Sequence, residues 1–151
     1  MQQQEQQDAE LAKRPSVEAQ VARLTEARDA VRDRLTADLG LTQWSDRGNA
    51  GSSGCASFPE SRGDESNLAT MLLTGGVPDA QWREAASIVQ QATEGYGFGP
   101  LQTVADQPGV HEIYVVGDYG AVMRFGTSVN ATLGVRTGCH LKAALLPAPG
   151  G

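Results

Sequence analysis

Residues 110–141 read VHEIYVVGDYGAVMRFGTSVNATLGVRTGCHL, and this stretch decides the fold. Apolar and polar side chains alternate along it, the period of two that sends successive residues to opposite faces of a strand. It predicts strands at Val110–Val116, Ala121–Val129 and Ala131–Leu141, with a turn at Asp118-Tyr119-Gly120. A three-residue loop there, with Gly120 in the left-handed conformation, pairs Val115 with Met123 and Ile113 with Phe125 and keeps apolar side chains on one face. Met123, Phe125, Thr127 and Val129 then share that face, as do Leu133, Val135, Thr137, Cys139 and Leu141. The other face carries Glu112 opposite Gly126 and Tyr114 opposite Arg124.

The following hairpin is expected to pair Phe125 with Val135, which sets Arg124 beside Arg136. Directly opposed like charges cost a few tenths to about 1 kcal/mol, so something must offset them. A shared anion, the Glu112 carboxylate, stacking on Tyr114, or water would do so. His140 is expected on the same polar face, and Gly126, Gly134 and Gly138 leave it shallow enough for a ligand or partner backbone to approach. Glu112, Tyr114, Arg124, Arg136 and His140 are therefore the candidate binding residues, weighed against an ordinary solvated sheet face.

Upstream, Pro108-Gly109 marks the turn after a further strand, Leu101–Asp106. A two-residue turn there puts His111 on the apolar side next to Asp106, the arrangement of a rim salt bridge more than of an acid–base couple. Nucleophilic catalysis needs a hydroxyl in reach of the imidazole, and the spacing brings none of Ser53, Ser57 or Ser128 there. The glycines of GYGFGP (95–100) follow a helix instead of opening one, so they read as a helix stop and connector and not as a phosphate loop.

Before them, Pro78 and Asp79 open a helix whose apolar stripe is Trp82, Ala85, Ala86, Val89, Ala92 and Thr93, with Gly95 as its stop. LATMLLT (68–74) is a strand ended by Gly75-Gly76. Ser16 to Leu39 is a longer amphipathic helix with Val17, Val21, Leu24, Val31, Leu35 and Leu39 on one side and Gly40 as a left-handed stop. The polar run from Leu41 to Asn67 reads as a loop. The sum is an α+β domain: two helices packed on one face of a mainly antiparallel sheet of about five strands. Residues 1–15 are expected as a flexible polar tether, 16–142 as a single domain, and 143–151 as a flexible tail.

With 12 Lys+Arg against 18 Asp+Glu, the 151-residue chain carries a net charge of −6, which disfavours nucleic acid as a partner. No run approaches the roughly 18–20 apolar residues needed to cross a bilayer. Cys55 and Cys139 lie 84 positions apart with no zinc-ligand spacing, and no cofactor motif is present. They are either two buried thiols or a disulfide. The second needs an oxidising compartment and would staple the long excursion before residue 68.

From about Ser16 to Leu141 the chain resembles the LppA-like lipoproteins of mycobacteria and related actinobacteria. The resemblance is carried by SVEAQVARLTEARDAVRDRL with the following Trp44, by Gly54-Cys55, by PDAQWREAASIVQQATEGYGF, and most specifically by YGAVMRFGTSVNATLGVRTGCHL. It implies an exported protein, cleaved at a lipobox whose cysteine is diacylated, and held on the outer side of the cell membrane by that lipid. On this reading residues 2–15 begin the mature tether, Met1 stands where a signal peptide was removed, and the membrane is met only through an anchor absent from this chain. The resemblance also implies that Cys55 and Cys139 pair. It carries over no catalytic residue.

The expected function is that of an envelope lipoprotein whose polar sheet face binds an anionic ligand or an envelope protein without catalysis. A small hydrolase or transferase using His111 or His140 as base is the alternative. A third reading is a structural role through the first amphipathic helix, whose stripe would then stay partly exposed.

Overall fold

Ser16 starts the long helix because its hydroxyl accepts the Ala19 N–H at 3.0 Å, satisfying a donor with no partner inside the helix. The helix, α2, runs Val17–Leu39 and follows a shorter one, α1, at Gln2–Leu11. Gly40 ends α2 at φ 69°, its N–H bonded to Thr36 O while that of Leu41 reaches Leu35 O, a left-handed cap that satisfies the last carbonyls. The helix α3 spans Asp79–Glu94. These elements come from a computed structural model that describes residues 2–147.

Eight strands form one antiparallel sheet: β1 (Trp44–Arg47), β2 (Gly51–Gly54), β3 (Asp64–Asn67), β4 (Thr70–Leu73), β5 (Gln102–Gln107), β6 (Val110–Val116), β7 (Val122–Thr127) and β8 (Ala131–Arg136). Their order is β1-β4-β8-β7-β6-β5, with β2 on β3 and β3 also touching β8. The α+β class is as expected, but the described residues form three α-helices and eight strands instead of two and about five. The extra strands β1, β2 and β3 come from the region read as loop. WSDR and GSSG expose most of their side chains and DESN half-buries polar ones, so backbone ladders and not apolar alternation define them.

One face of the sheet is the core. Met71, Ile113, Val115, Met123, Phe125, Leu133 and Val135 are buried against Leu24, Val31 and Leu35 of α2 and Trp82, Ala85 and Val89 of α3. Trp82 stacks on Phe125, with ring centroids 5.5 Å apart. Leu24, Val31 and Leu35 of the α2 stripe are essentially inaccessible in this core, while Val21 and Leu39 are only partly buried.

A second, smaller cluster gathers Leu11, Leu141 and the Cys55–Cys139 disulfide, with Phe58, Leu145 and Leu146 against it. This corrects the expectation for residues 1–15. Gln, Glu and Ala are good helix formers, and Gln2–Leu11 is helical with Leu11 fully buried on the disulfide. Asp8 anchors that helix: its carboxylate accepts the Arg62 backbone N–H at 2.9 Å and the guanidinium at 2.7 Å. Burial alone would raise the Asp8 pKa, but these two bonds outweigh it and hold the carboxyl below its ordinary range. Ala143–Leu145 form a short 3-10 turn, and residues 148–151 of the expected tail lie outside the described residues.

Candidate functional site

The β6–β7 hairpin has the expected register: Val115 pairs with Met123, Ile113 with Phe125, Tyr114 with Arg124 and Glu112 with Gly126. The β7–β8 hairpin does not. Phe125 pairs with Leu133, so Arg124 faces Gly134 and Arg136 faces Val122. The expected register would leave a single residue, Asn130, to turn the chain. The observed one closes at Thr127 and Ala131 around three residues, with the Ser128 N–H bonded to Asn130 O at 2.9 Å. The two arginines are therefore not directly opposed. They stand on one face, diagonal across Gly134.

Arg124 donates to Glu112 Oε2 at 3.2 Å and lies 5.7 Å from the centroid of the Tyr114 ring. Three of the expected residues thus meet as one exposed group. Arg136 makes no ion pair among the described residues, and its neighbour on β3 is Asn67. Between the arginines a depression of about 260 Å³ opens over Gly134, rimmed by Asn49, Asn67 and Thr70. Gly134 keeps its floor low: a Cβ there would stand 3.8 Å from Thr70 Oγ1. Asn49, Asn67 and Thr70 were not legible as site residues, because the strand break that presents them lies where the sequence reads as loop and strand start.

His140 does not join this face. β8 ends at Arg136, and Thr137 Oγ1 accepts the Ser66 N–H at 2.9 Å, so alternation stops and residues 137–141 are all buried. The imidazole of His140 is fully enclosed, with Nδ1 bonded to Pro15 O at 2.9 Å, Nε2 without a partner, and the Tyr119 ring edge-on at 5.5 Å. Burial, with the nearby Arg14 charge, pushes its pKa down despite the Pro15 bond. Gly138 is no part of an open face either: a Cβ on it would overlap the Tyr119 carbonyl oxygen.

His111 lies beside Asp106 across the Pro108-Gly109 turn, as expected, with Nδ1 2.8 Å from Asp106 Oδ1. The sequence reading missed its second partner, Asp79, whose Oδ1 is 2.7 Å from Nε2. The signal was there in the position of Asp79 at a helix start, but not its reach to the hairpin. Hydrogen bonding to Asp79, then to Asp106, raises the His111 pKa against the effect of burial. Both ring nitrogens meet carboxylate oxygens, and the ring is stacked on Trp82 at 5.0 Å. Among the described residues neither histidine is hydrogen-bonded to a hydroxyl.

The family described as "LppA: Lipoprotein confined to pathogenic Mycobacterium" matches residues 1–143. The crystal structure of LppA from Mycobacterium tuberculosis is similar in fold, with a TM-score of 0.77 at 20% identity over 98% of this chain and 90% of that one. A DUF4853 family protein from Actinomyces odontolyticus superposes with a TM-score of 0.62 at 17% identity, covering 91% of this chain and 75% of the other. Among curated proteins no relative matches the chain.

Proposed function

The chain belongs to the LppA family of lipoproteins, and we propose that it is the folded part of an envelope lipoprotein that binds an anionic ligand on the outer face of its sheet, through Arg136 and Arg124. Membership in a lipoprotein family implies association with the envelope. A lipid anchor on the outer side of the cell membrane accounts for that association, since no helix among the described residues is long and apolar enough to cross a bilayer.

One observation carries the binding reading. In a chain of net charge −6, Arg136 has no acidic partner among the described residues and stands at the rim of a depression whose walls include Asn49, Asn67, Thr70 and the already paired Arg124 beside the apolar Leu68, Val122 and Val135. A guanidinium with five donors and flanking amides suits a carboxylate or phosphate. Such a ligand exchanges the Glu112 partner of Arg124 for its own charge. The role needs surface chemistry alone and no catalytic group.

Calorimetric titration with inorganic phosphate at low ionic strength tests this. Binding is expected for the unaltered protein and should weaken about tenfold or more in Arg136→Ala, in line with the loss of a charge-assisted hydrogen bond. Equal binding by the unaltered protein and by the Arg124→Ala/Arg136→Ala double variant would remove the proposal.

A further inference from the structure

Directly paired residues of an antiparallel sheet point to the same face, so the ladders fix which side chains share the surface of the anion site. Arg47 of β1 is opposite Thr70 of β4. One step past the Met71–Leu133 pair, Thr70 comes against Gly134 of β8, where an added Cβ would lie 3.8 Å from Thr70 Oγ1. Gly134 in turn is paired with Arg124 of β7. A single row on the outer face therefore crosses four neighbouring strands as Arg47, Thr70, Gly134 and Arg124. Its two middle members are small, and both line the depression between Arg124 and Arg136.

Arg47 is exposed, and among the described residues its side chain makes no hydrogen bond and no ion pair. The adjacent Asp46 does not neutralise it, because Asp46 is paired with the buried Met71 and points to the opposite face. Of the strand residues on the outer face, the acidic ones are Glu112, which Arg124 already holds at 3.2 Å, and Glu65, which lies two residues before Asn67 opposite Ser53 and forms no ion pair among the described residues. Arg47, Arg124 and Arg136 thus surround Thr70 and Gly134 in a chain whose net charge is −6. Guanidiniums gathered on one surface repel one another until an anion meets them.

The spacing says what kind of anion. Neighbouring strands lie about 4.8 Å apart, so three ladders set the Cα of Arg47 roughly 14 Å from that of Arg124. One phosphate or carboxylate is too small to serve both ends of the row, whereas two such groups on one molecule can, each met by a guanidinium that leans in over the small residues between. We propose that the anion site is one half of a two-point site: an elongated ligand with two anionic groups, on the order of 10 Å apart, lies across the strands over Thr70 and Gly134, with one group between Arg124 and Arg136 and the other at Arg47. The inference rests on the anion-binding reading and adds to it a second anchor and the charge spacing of the ligand.

Three probes are titrated into the protein: hexyl phosphate, hexanediol bisphosphate, which carries a second phosphate on the far end of the same chain, and methylenediphosphonate, whose two anionic groups share a single carbon. The long bisphosphate is expected to bind at least about tenfold tighter than hexyl phosphate, as a charge-assisted hydrogen bond to a second anionic group would give. Arg47→Ala is expected to abolish that gain and leave hexyl phosphate and methylenediphosphonate unchanged, and Arg47→Gln serves if alanine destabilises the edge strand. If hexyl phosphate binds but the long bisphosphate gains nothing, or keeps its gain in the Arg47 variants, the two-point site is refuted and the anion site stands. Equal weakening of all three probes by Arg47→Ala also refutes it, since Arg47 would then act through overall charge and not at a second contact. If no probe binds, the anion site itself falls, and the two-point site with it.

Discussion

Asp79, the first residue of α3, holds His111 across the β5–β6 turn, with Oδ1 2.7 Å from Nε2. The same carboxylate accepts the Gly109 N–H at 2.9 Å, so one side chain fastens the helix start to the hairpin tip. The Gly109 bond, then the His111 bond, lowers the Asp79 pKa, and the His111 pKa is raised in return. A histidine whose folded pKa is raised contributes stability that is complete below its unfolded value of 6.5 and lost as pH rises through the folded pKa. The melting temperature of the unaltered protein should therefore exceed that of Asp79→Asn most below pH 6.5, and the gap should narrow toward alkaline pH. A gap that stays constant across neutral pH would show that His111 is not charged in the folded state.

His140 acts in the opposite sense. Its folded pKa is lowered by burial, so its contribution is complete above 6.5 and is lost as pH falls below that value and through the folded pKa. Nδ1 faces Pro15 O, the Arg14 and Tyr119 side chains stand close by, and the His140 backbone pairs with Asp64, but among the described residues no carboxylate hydrogen-bonds to the imidazole. Protonation would bury a second N–H with no acceptor, because Nε2 has no partner. His140→Phe should lose less stability than the unaltered protein between neutral pH and pH 5, measured by denaturant midpoint. The His111 effect is common to both proteins and cancels. Parallel pH profiles would contradict this.

The disulfide closes a span of 84 residues and carries the smaller core on its back. A loop of this length corresponds to roughly 4–5 kcal/mol on the chain-entropy account. Cys55→Ala/Cys139→Ala should therefore lower the melting temperature by more than about 10 °C. Loss of protection should be greatest around Leu11, which packs on the sulfurs, and amide exchange can follow it. A drop of only a few degrees with α1 still protected would mean that the apolar contacts alone hold this end together.

The strands β6, β7 and β8 were legible because each buries one face. A two-residue period in Ile113, Val115, Met123, Phe125, Leu133 and Val135 fixes which side chains point inward. The long helix was legible for the same reason and from its caps at Ser16 and Gly40. What escaped was held by other forces. Strands β1 and β2 are backbone ladders with mostly exposed side chains and β3 is one with half-buried polar side chains, while Gln7, Asp8 and Leu11 tie α1 to residues far along the chain. The face of Tyr114 and Arg124 followed from the turn at 118–120, whereas the placing of Arg136 depended on how tightly residues 128–130 could turn. His140 was misplaced because alternation was carried past Arg136, where the disulfide and the Ser66 contact draw the chain inward.

The most direct test of the central claim is a map of amide chemical shifts while inorganic phosphate is titrated into the protein. The account predicts that the shifts centre on Asn67, Gly134 and Arg136, with Arg124 and Tyr114 following, and that Arg136→Ala removes them. Shifts centred instead on the depression beside His111, walled by Ser128 and Asn130, or the same shifts retained in Arg136→Ala, would contradict it.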